Sequence, residues 1–386
     1  MGWRVCKRIY YLQFLPFCQS EWSANGSANR SSGGRYVPGV SHRAYGRTNR
    51  PRTDALRIGR MPISSVAGVI CCGNISFDIP VWPVDRFQWG TTLWVDKIEE
   101  TVGGNGGSTA YTLAKLGTPV RLLGMVGRDA HGDTILARLA ATGVDVSRVG
   151  RSDLPTNSSI CVVHPTGDRL FFHQRGASSA VSAEMLDFRP ENNVGYSHFH
   201  LANLYTVPAI RTSAPDVLRR AREAGLTTSL DTGWDADGRW MQDLRPCLPF
   251  VDLLFINETE AKMLTATDVP REVVRALRDL GATDVLMKLG GSGCVLFAGG
   301  QEYAAPGFVV HAIDTTGAGD CFGGGFLAAL HHGKNRMDAA CFANAVGALK
   351  VSQLGAVQGV RNFAETEIWM SAGTTLKGTH DSIRIL

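Results

Sequence analysis

The sequence predicts an α/β protein: a doubly wound, mostly parallel sheet flanked by helices, with a small β-sheet lid. Three observations predict it. Short β-rich apolar runs alternate with amphipathic stretches from residue 66 to 351, glycine-rich turns open several of those stretches, and two alternating segments interrupt the rhythm. Buried strands are expected at Val66–Cys72, Val120–Val126, Ser197–Leu201, Thr227–Asp231, Leu253–Asn257 and Val285–Leu289, each a four- to eight-residue run of the kind a two-sided sheet needs. Helices are expected between and after them, at Asn105–Leu116, His131–Thr142, Pro215–Ala224, Glu258–Leu264, Arg271–Leu280, Gly319–His331 and Met337–Val351. The interruptions are Pro80–Thr101 and Asn157–Gly176. Within them Thr92–Ile98, Ser158–His164 and Arg169–His173 alternate, and Pro165-Thr166-Gly167-Asp168 is a hairpin turn. Two insertions from distant places are best accommodated as one lid over an edge of the large sheet. Its exposed strands invite pairing with a second copy, so a homodimer through the lid is expected.

The chain has 386 residues, enough for a large core, and a net charge of +4. Residues 1–60 carry +9 through ten Arg and one Lys, which leaves residues 61–386 at −5. A mildly acidic body has no electrostatic footprint for nucleic acid. Residues 1–60 read as a basic, disordered leader, with three readings open: a targeting peptide, a basic arm, or sequence upstream of the true start, with Met61 as the preferred start. The folded body is assigned to 61–365, with lid segments near 80–101 and 157–176, and 366–386 is assigned as a tail. Nine scattered cysteines lack zinc spacing and read as reduced core thiols, which points to a cytoplasmic protein. No run of 18 apolar residues suggests a membrane span.

The most specific local signal is Asp314-Thr315-Thr316-Gly317-Ala318-Gly319-Asp320, which leads into Cys321-Phe322-Gly323-Gly324-Gly325-Phe326. Small residues before a helix let free N–H groups approach an anion, and Asp320 in the first turn could take a proton from a hydroxyl attacking phosphorus. A second cluster, Gly103-Gly104-Asn105-Gly106-Gly107-Ser108, opens the helix toward Leu116 and presents bare backbone beneath the lid. A third, Asn257-Glu258-Thr259-Glu260, ends a strand and enters a helix. Its oxygens suit a water-shelled magnesium ion, and equally suit ordinary helix capping.

Together these segments resemble the signature elements of the PfkB, or ribokinase-like, carbohydrate kinase family, in family order and over about residues 66–360. The resemblance implies a Rossmann-like domain with a β lid, ATP and Mg2+ as cofactors, and phosphoryl transfer to a primary hydroxyl of a sugar-like acceptor. It implies Asp320 as base, with Gly317, Ala318 and Gly319 as the anion hole, and Asn257 with Glu260 organising magnesium, largely through water. Asp78 corresponds to the family's first-strand acceptor ligand, and Gly103, Gly104 and Asn105 to its acceptor-contacting turn. Lys288, Gly290 and Gly293 correspond to the nucleotide loop, and Asn344 to the adenine side. Asp314 and the Gly355-Ala356 turn resemble a monovalent-cation loop, here for K+, although Gly359 stands where the family has a cation-facing Ser.

Other conspicuous residues have plainer readings. His198 and His200 alternate in a strand and read as satisfied histidines, Trp82, Trp89 and Trp94 as lid packing or acceptor walls, and Arg175 as a surface residue or an anion contact. Two functions compete with a sugar kinase: a nucleoside kinase of the same fold, and a catalytically silent sugar or nucleotide sensor. A dinucleotide oxidoreductase is disfavoured, because no G-x-G-x-x-G follows the first strand.

Overall fold

A computed structural model of the chain describes residues 66–372. The expected leader 1–60 and most of the expected tail lie outside the described residues. Along the chain the elements are β1 (Val69–Cys72), β2 (Ser76–Trp82), β3 (Lys97–Ile98), β4 (Thr101–Gly103), α1 (Asn105–Lys115), β5 (Val120–Gly127), α2 (Ala130–Thr142), β6 (Val149–Ser152), β7 (Asn157–Val163) and β8 (Arg169–Gln174). There follow β9 (His198–Leu201), α3 (Pro208–Glu223), β10 (Thr227–Asp231), α4 (Met241–Leu244), β11 (Leu253–Asn257), α5 (Glu258–Thr265), α6 (Pro270–Asp279) and β12 (Asp284–Lys288). The remainder is β13 (Gly293–Ala298), β14 (Gln301–Pro306), α7 (Ala318–His331), α8 (Arg336–Val351) and α9 (Phe363–Ala372).

Nine strands form one sheet in the order β14-β13-β12-β11-β10-β9-β1-β5-β6. It is parallel from β12 through β6, and β13 and β14 add an antiparallel edge. Both faces are covered, which explains why its strands read as continuous apolar runs rather than alternating ones. In β1, Val69 and Cys71 enter one core with residues of α1, α2, α7 and α8, while Ile70 and Cys72 enter the other with residues of α3, α5 and α6.

The second sheet has the order β3-β2-β7-β8, with β4 also paired to β2. This is the expected lid, built somewhat differently. It begins at Ser76 rather than Pro80, so Asp78 lies on lid strand β2 and not on the first strand of the main sheet. Of Thr92–Ile98 only Lys97–Ile98 is a strand, because only these two residues stand in register with β2, opposite Trp82 and Val81. The hairpin at 165–168 closes as expected, with the His164 amide donating to the Asp168 carbonyl at 2.7 Å.

Two helices depart from their expected bounds. α3 starts seven residues early and carries Pro215 inside it, because Ile210, Ala214, Val217, Leu218 and Ala221 bury one stripe that outweighs the proline's missing donor. α9 runs through residue 365, where the tail was drawn. Phe363 stacks on Phe342 at 4.4 Å and Trp369 meets Phe308 at 5.1 Å, so the division falls inside a packed helix.

Candidate active site

The parallel strands β1, β9, β10, β11 and β12 all release their chains at one end of the sheet, where ligands bind in doubly wound folds. The polar residues that follow them are Asn74, Asn203, Asp231, Asn257 and Lys288, and the N-terminus of α7 reaches the same place.

Asn105 and Asp320, 215 residues apart, meet there. The Asn105 Nδ2 donates to Asp320 Oδ1 at 2.8 Å, and the Asn203 amide donates to Asn105 Oδ1 at 3.0 Å, which fixes the orientation of the Asn105 amide. The backbone N–H of Asn105 is held by the Asn74 side chain at 3.0 Å, and the Asn74 carbonyl accepts from Gly106 and Gly107. Asn105, expected to touch an acceptor, therefore also positions the candidate base.

Enclosure by protein pushes the Asp320 carboxyl up to about 7. The Asn105 hydrogen bond and the Lys288 cation oppose that rise, and the charges of Asp231 and Glu260 reinforce it. Beside Asp320, Gly317 caps α7 with φ 71°, and an added Cβ would stand 2.3 Å from the Ala356 carbonyl oxygen, so the turn needs glycine. Gly317, Ala318 and Gly319 thus form a bare N-terminus of a 14-residue helix, the geometry expected of an anion hole.

Lys288, expected in a nucleotide loop, ends β12 and turns toward the start of α7. Its Nζ sits 2.6 Å from Asp231 Oδ2, and a Cβ on Gly319 would lie 3.2 Å from it, so the ammonium stands beside the N-terminus of α7. Gly290 and Gly293 bound the turn that follows, between β12 and β13, as expected. Asn344, expected on the adenine side, uses its amide nitrogen within the fold. Its amide donates to the carbonyls of Ala305 and Pro306 at 3.0 and 3.1 Å and fastens α8 to β14.

Asn257 and Glu260 form a reciprocal capping box. Asn257 Oδ1 accepts from the Glu260 N–H at 2.8 Å, and Glu260 accepts from the Asn257 N–H at 2.9 Å and from its amide at 2.7 Å. Thr232 adds a hydroxyl to Glu260 at 3.0 Å. Burial raises the Glu260 carboxyl, with Lys288 opposing.

Asp78 is buried on the inner face of the lid, where Ser76 donates to it at 2.7 Å, and burial raises its carboxyl. Gly103 lies so close that a Cβ there would overlap the Asp78 carboxylate, at 1.9 Å from Oδ2. Ser159 links His173 to this face at 2.9 Å. The lid is tied to the anion-hole loop by Arg169, which donates to the Thr315 hydroxyl, and by Cys161 against Thr316 at 3.4 Å.

A cavity of about 350 Å³ opens beside Asn74, lined also by Asn157, His173, Arg175, Thr206 and Arg211. Arg211 is buried on Asp235, Asp237 and Asp243 at 2.9, 2.8 and 2.5 Å, and Arg239 pairs with Asp243 at 2.6 Å. Sequence reasoning missed Asn74, Asn203, Asp231 and Arg211. The first three follow carboxyl ends of parallel strands, a signal that was available. Arg211 carried no such signal.

Trp89 and Trp94 are 100% and 92% exposed and line no wall, whereas Trp82 packs on Cys161, Val163 and Leu354. His198 and His200 are satisfied by Thr227 and Ser229 at 2.6–2.8 Å, and burial lowers them to about 3 and about 4. They are the structural strand histidines that the sequence predicted.

Residues 69–362 match the pfkB family carbohydrate kinase family. The chain is 30% identical to the ribokinase of Haemophilus influenzae over 283 residues, 72% of this chain and 90% of that one. It is 32% identical to the ATP-dependent ribose-1-phosphate kinase of Halopiger xanaduensis over 293 residues, 72% of this chain and 94% of that one. Among solved structures, Arabidopsis thaliana ribokinase complexed with ribose and ATP superposes with a TM-score of 0.66 at 25% identity, covering 78% of this chain and 98% of that one. The match across three quarters of the chain, on a fold with this sheet, lid and helix N-terminus, makes the protein a member of the pfkB family of carbohydrate kinases.

Proposed function

We propose that the protein transfers the γ-phosphoryl group of ATP to a primary hydroxyl of a free sugar or sugar derivative, with Asp320 as the general base. The observation that carries this reading is the Asn105–Asp320 contact at the mouth of the Gly317–Gly319 helix terminus. A carboxyl at about 7 exchanges its proton readily near neutral pH, so Asp320 accepts the hydroxyl proton as the oxygen attacks the γ-phosphorus. The free N–H groups at the start of α7 face the charge that develops on the transferred phosphoryl group. Lys288, held by Asp231, adds a fixed cation to the same place.

Among the described residues no cluster of three or more His, Cys, Asp or Glu could grip a metal directly. Because Asn257 and Glu260 spend their best acceptors on each other, they suit a magnesium ion reached through water and carried by the nucleotide phosphates. When bound, that ion neutralises phosphate charge.

The acceptor subsite is assigned to the lid face around Asp78 and to the neighbouring cavity. Its polar groups, Asn74, Asn157, Thr206 and His173, suit a polyol. The two closely related enzymes act on ribose-type acceptors that differ by a phosphate, as their names state, so ancestry alone does not choose between them. Charge supports the free sugar: Arg211 and Arg239 are already paired, which leaves Arg175 as the lining arginine with no carboxylate within 4.0 Å among the described residues. One exposed guanidinium is a thin clamp for a phosphate dianion. A nucleoside finds no aromatic wall in Trp89 or Trp94, whereas Tyr205 and Trp234 do line the cavity, so nucleosides stay in the acceptor comparison.

The deciding experiment compares kcat/KM for hexoses, pentoses, sugar acids, sugar phosphates and nucleosides with ATP. A nucleoside or sugar phosphate preferred by about tenfold or more overturns the free-sugar assignment and leaves the kinase assignment standing.

The homodimer reading rests on the outer lid face. Ile98, Ile160, Leu170 and Phe172 are 67%, 45%, 49% and 56% exposed, and cross-strand pairing places them on one side of the sheet. Sedimentation of the full chain tests it, a monomer at micromolar concentration refuting it. The cytoplasmic reading is supported by the free cysteines of the described chain, of which six are buried.

A further inference from the structure

The residues expected to bind a monovalent cation do not present an open site. Every polar group of Asp314 is engaged. Its Oδ1 accepts from the Thr316 N–H and its Oδ2 from the Gly355 N–H, both at 2.8 Å, and its own N–H donates to the Val351 carbonyl at 3.2 Å. Its carbonyl accepts from Lys350 Nζ at 2.6 Å, and the same nitrogen stands 4.0 Å from Oδ2. Both residues are wholly buried.

A lysine in such a place needs a reason, because taking an ammonium out of water is costly unless a charge and hydrogen bonds compensate it. Asp314 supplies both, and the last turn of α8 supplies carbonyl dipoles that favour a cation at its C-terminus. Burial pulls the Lys350 ammonium below its usual value and Asp314 opposes that pull, with Arg169 acting against it from the lid and the thiols of Cys321 and Cys161 also facing it. The charge balance at Asp314 is therefore complete with protein groups alone, and a second cation there would meet Lys350 at contact distance.

The position bears on the anion hole. Asp314 opens the run that reaches Gly317, and Gly317 packs on the Ala356 carbonyl, next to the Gly355 amide that Asp314 holds. Lys350 thus ties the end of α8 to both strands of backbone from which the hole is made. We infer that the Lys350 ammonium is a built-in substitute for a monovalent cation, so that the anion-hole loop is held in place without potassium. The link to turnover rests on the proposed phosphoryl-transfer reading, whereas the link to loop stability does not.

The test melts the full chain in potassium, sodium or tetramethylammonium chloride at equal ionic strength, and measures ATP-dependent phosphorylation in each. Thermal midpoints are expected to agree within about 1 °C and turnover within about twofold, since an ion that does not bind the native state cannot shift either. A potassium-specific rise in midpoint, or turnover raised about fivefold or more by potassium, overturns the inference. Melting needs no turnover, so the absence of phosphorylation in all three salts counts against the kinase reading while the midpoints still decide this one.

Lys350→Ala is expected to lower the midpoint and kcat, and to recover part of both in potassium but not in tetramethylammonium. A variant equal to the parent without potassium, or one weakened and not recovered by potassium, overturns the inference. If the variant does not fold, the parent's midpoints in the three salts remain decisive.

Discussion

Replacing Asp320 by Asn removes the proposed base while preserving shape, and the structure sets the scale of the effect. Loss of a positioned general base costs about 10²–10⁴ in rate, or roughly 2.7–5.5 kcal/mol in barrier. The carboxyl at about 7 adds a pH signature. The ionised fraction is roughly one half at pH 7, about one tenth at pH 6 and about nine tenths at pH 8, so kcat/KM of the parent should climb about ninefold from pH 6 to pH 8. Asp320→Asn should lack this limb.

Stability moves the other way. A carboxyl raised above its unfolded value contributes stability that is complete below the ordinary carboxylate range and is lost as pH rises through about 7. Asp320→Asn should therefore melt higher than the parent at pH 8, with the gap closing toward pH 4. The shift of roughly three units sets a ceiling of about 4 kcal/mol on that gap, to be discounted because Asp320 is partly open to solvent. The assays are kcat/KM against the preferred acceptor from pH 5.5 to 8.5 at saturating ATP, and melting curves at both ends of the range. A flat parent profile, or a variant retaining more than about a tenth of parental turnover, would refute the reasoning.

Three further outcomes are expected. Asn105→Ala removes a hydrogen bond that lowers the Asp320 carboxyl, so the acid limb should move up by about one to two pH units, as a bond to a charged group worth about 1.5–3 kcal/mol implies; an unmoved limb contradicts the contact. Lys288→Met strands the buried Asp231 carboxylate, and urea unfolding should show a loss of about 3–5 kcal/mol together with an upward shift of the same limb, so a variant as stable as the parent would count against the pair. Arg211→Met leaves the buried Asp235 without its cation in the loop that lines the cavity, while Asp243 keeps Arg239. It should cost stability on a similar scale and raise KM for the acceptor more than for ATP, and an equal change in both would separate the loop from acceptor binding.

The main sheet and the glycine-capped start of α7 were legible because each rests on local chemistry. Thr227–Asp231 and Leu253–Asn257 are short apolar runs, and the structure keeps their bounds unchanged. Gly317 before Asp320 is a turn that only a small residue at φ 71° can make. The lid was legible as an insertion but not in its bounds, since Ser76–Trp82 carries both the catalytic-face Asp78 and the outward Ile79, and its pairing depends on β7, some eighty residues away. The β13–β14 hairpin had a local sign, Gly299-Gly300 at φ 58° and 82°, the pair that a two-residue turn favours.

What could not be read is how charges pair across the fold. Lys288 stands in sequence before a glycine-rich turn and suggests a nucleotide loop, yet its partner is Asp231, 57 residues earlier on a strand two positions away in the sheet. Lys350 looks like an ordinary basic residue closing a helix, and only the fold sets it on the carbonyl of Asp314. A cation's role depends on which carboxylate it meets and how much water remains between them, and neither is a property of its neighbours in sequence. The ionisation of Asp320 shows the consequence. The base sits at a helix N-terminus, which alone would hold a carboxylate low. It rises instead to about 7 because enclosure and the charges of Asp231 and Glu260, all supplied by other elements, outweigh Asn105 and Lys288. The motif therefore singles out the proposed base, but the proton affinity that suits it to accept a hydroxyl proton near neutral pH belongs to the assembled end of the sheet.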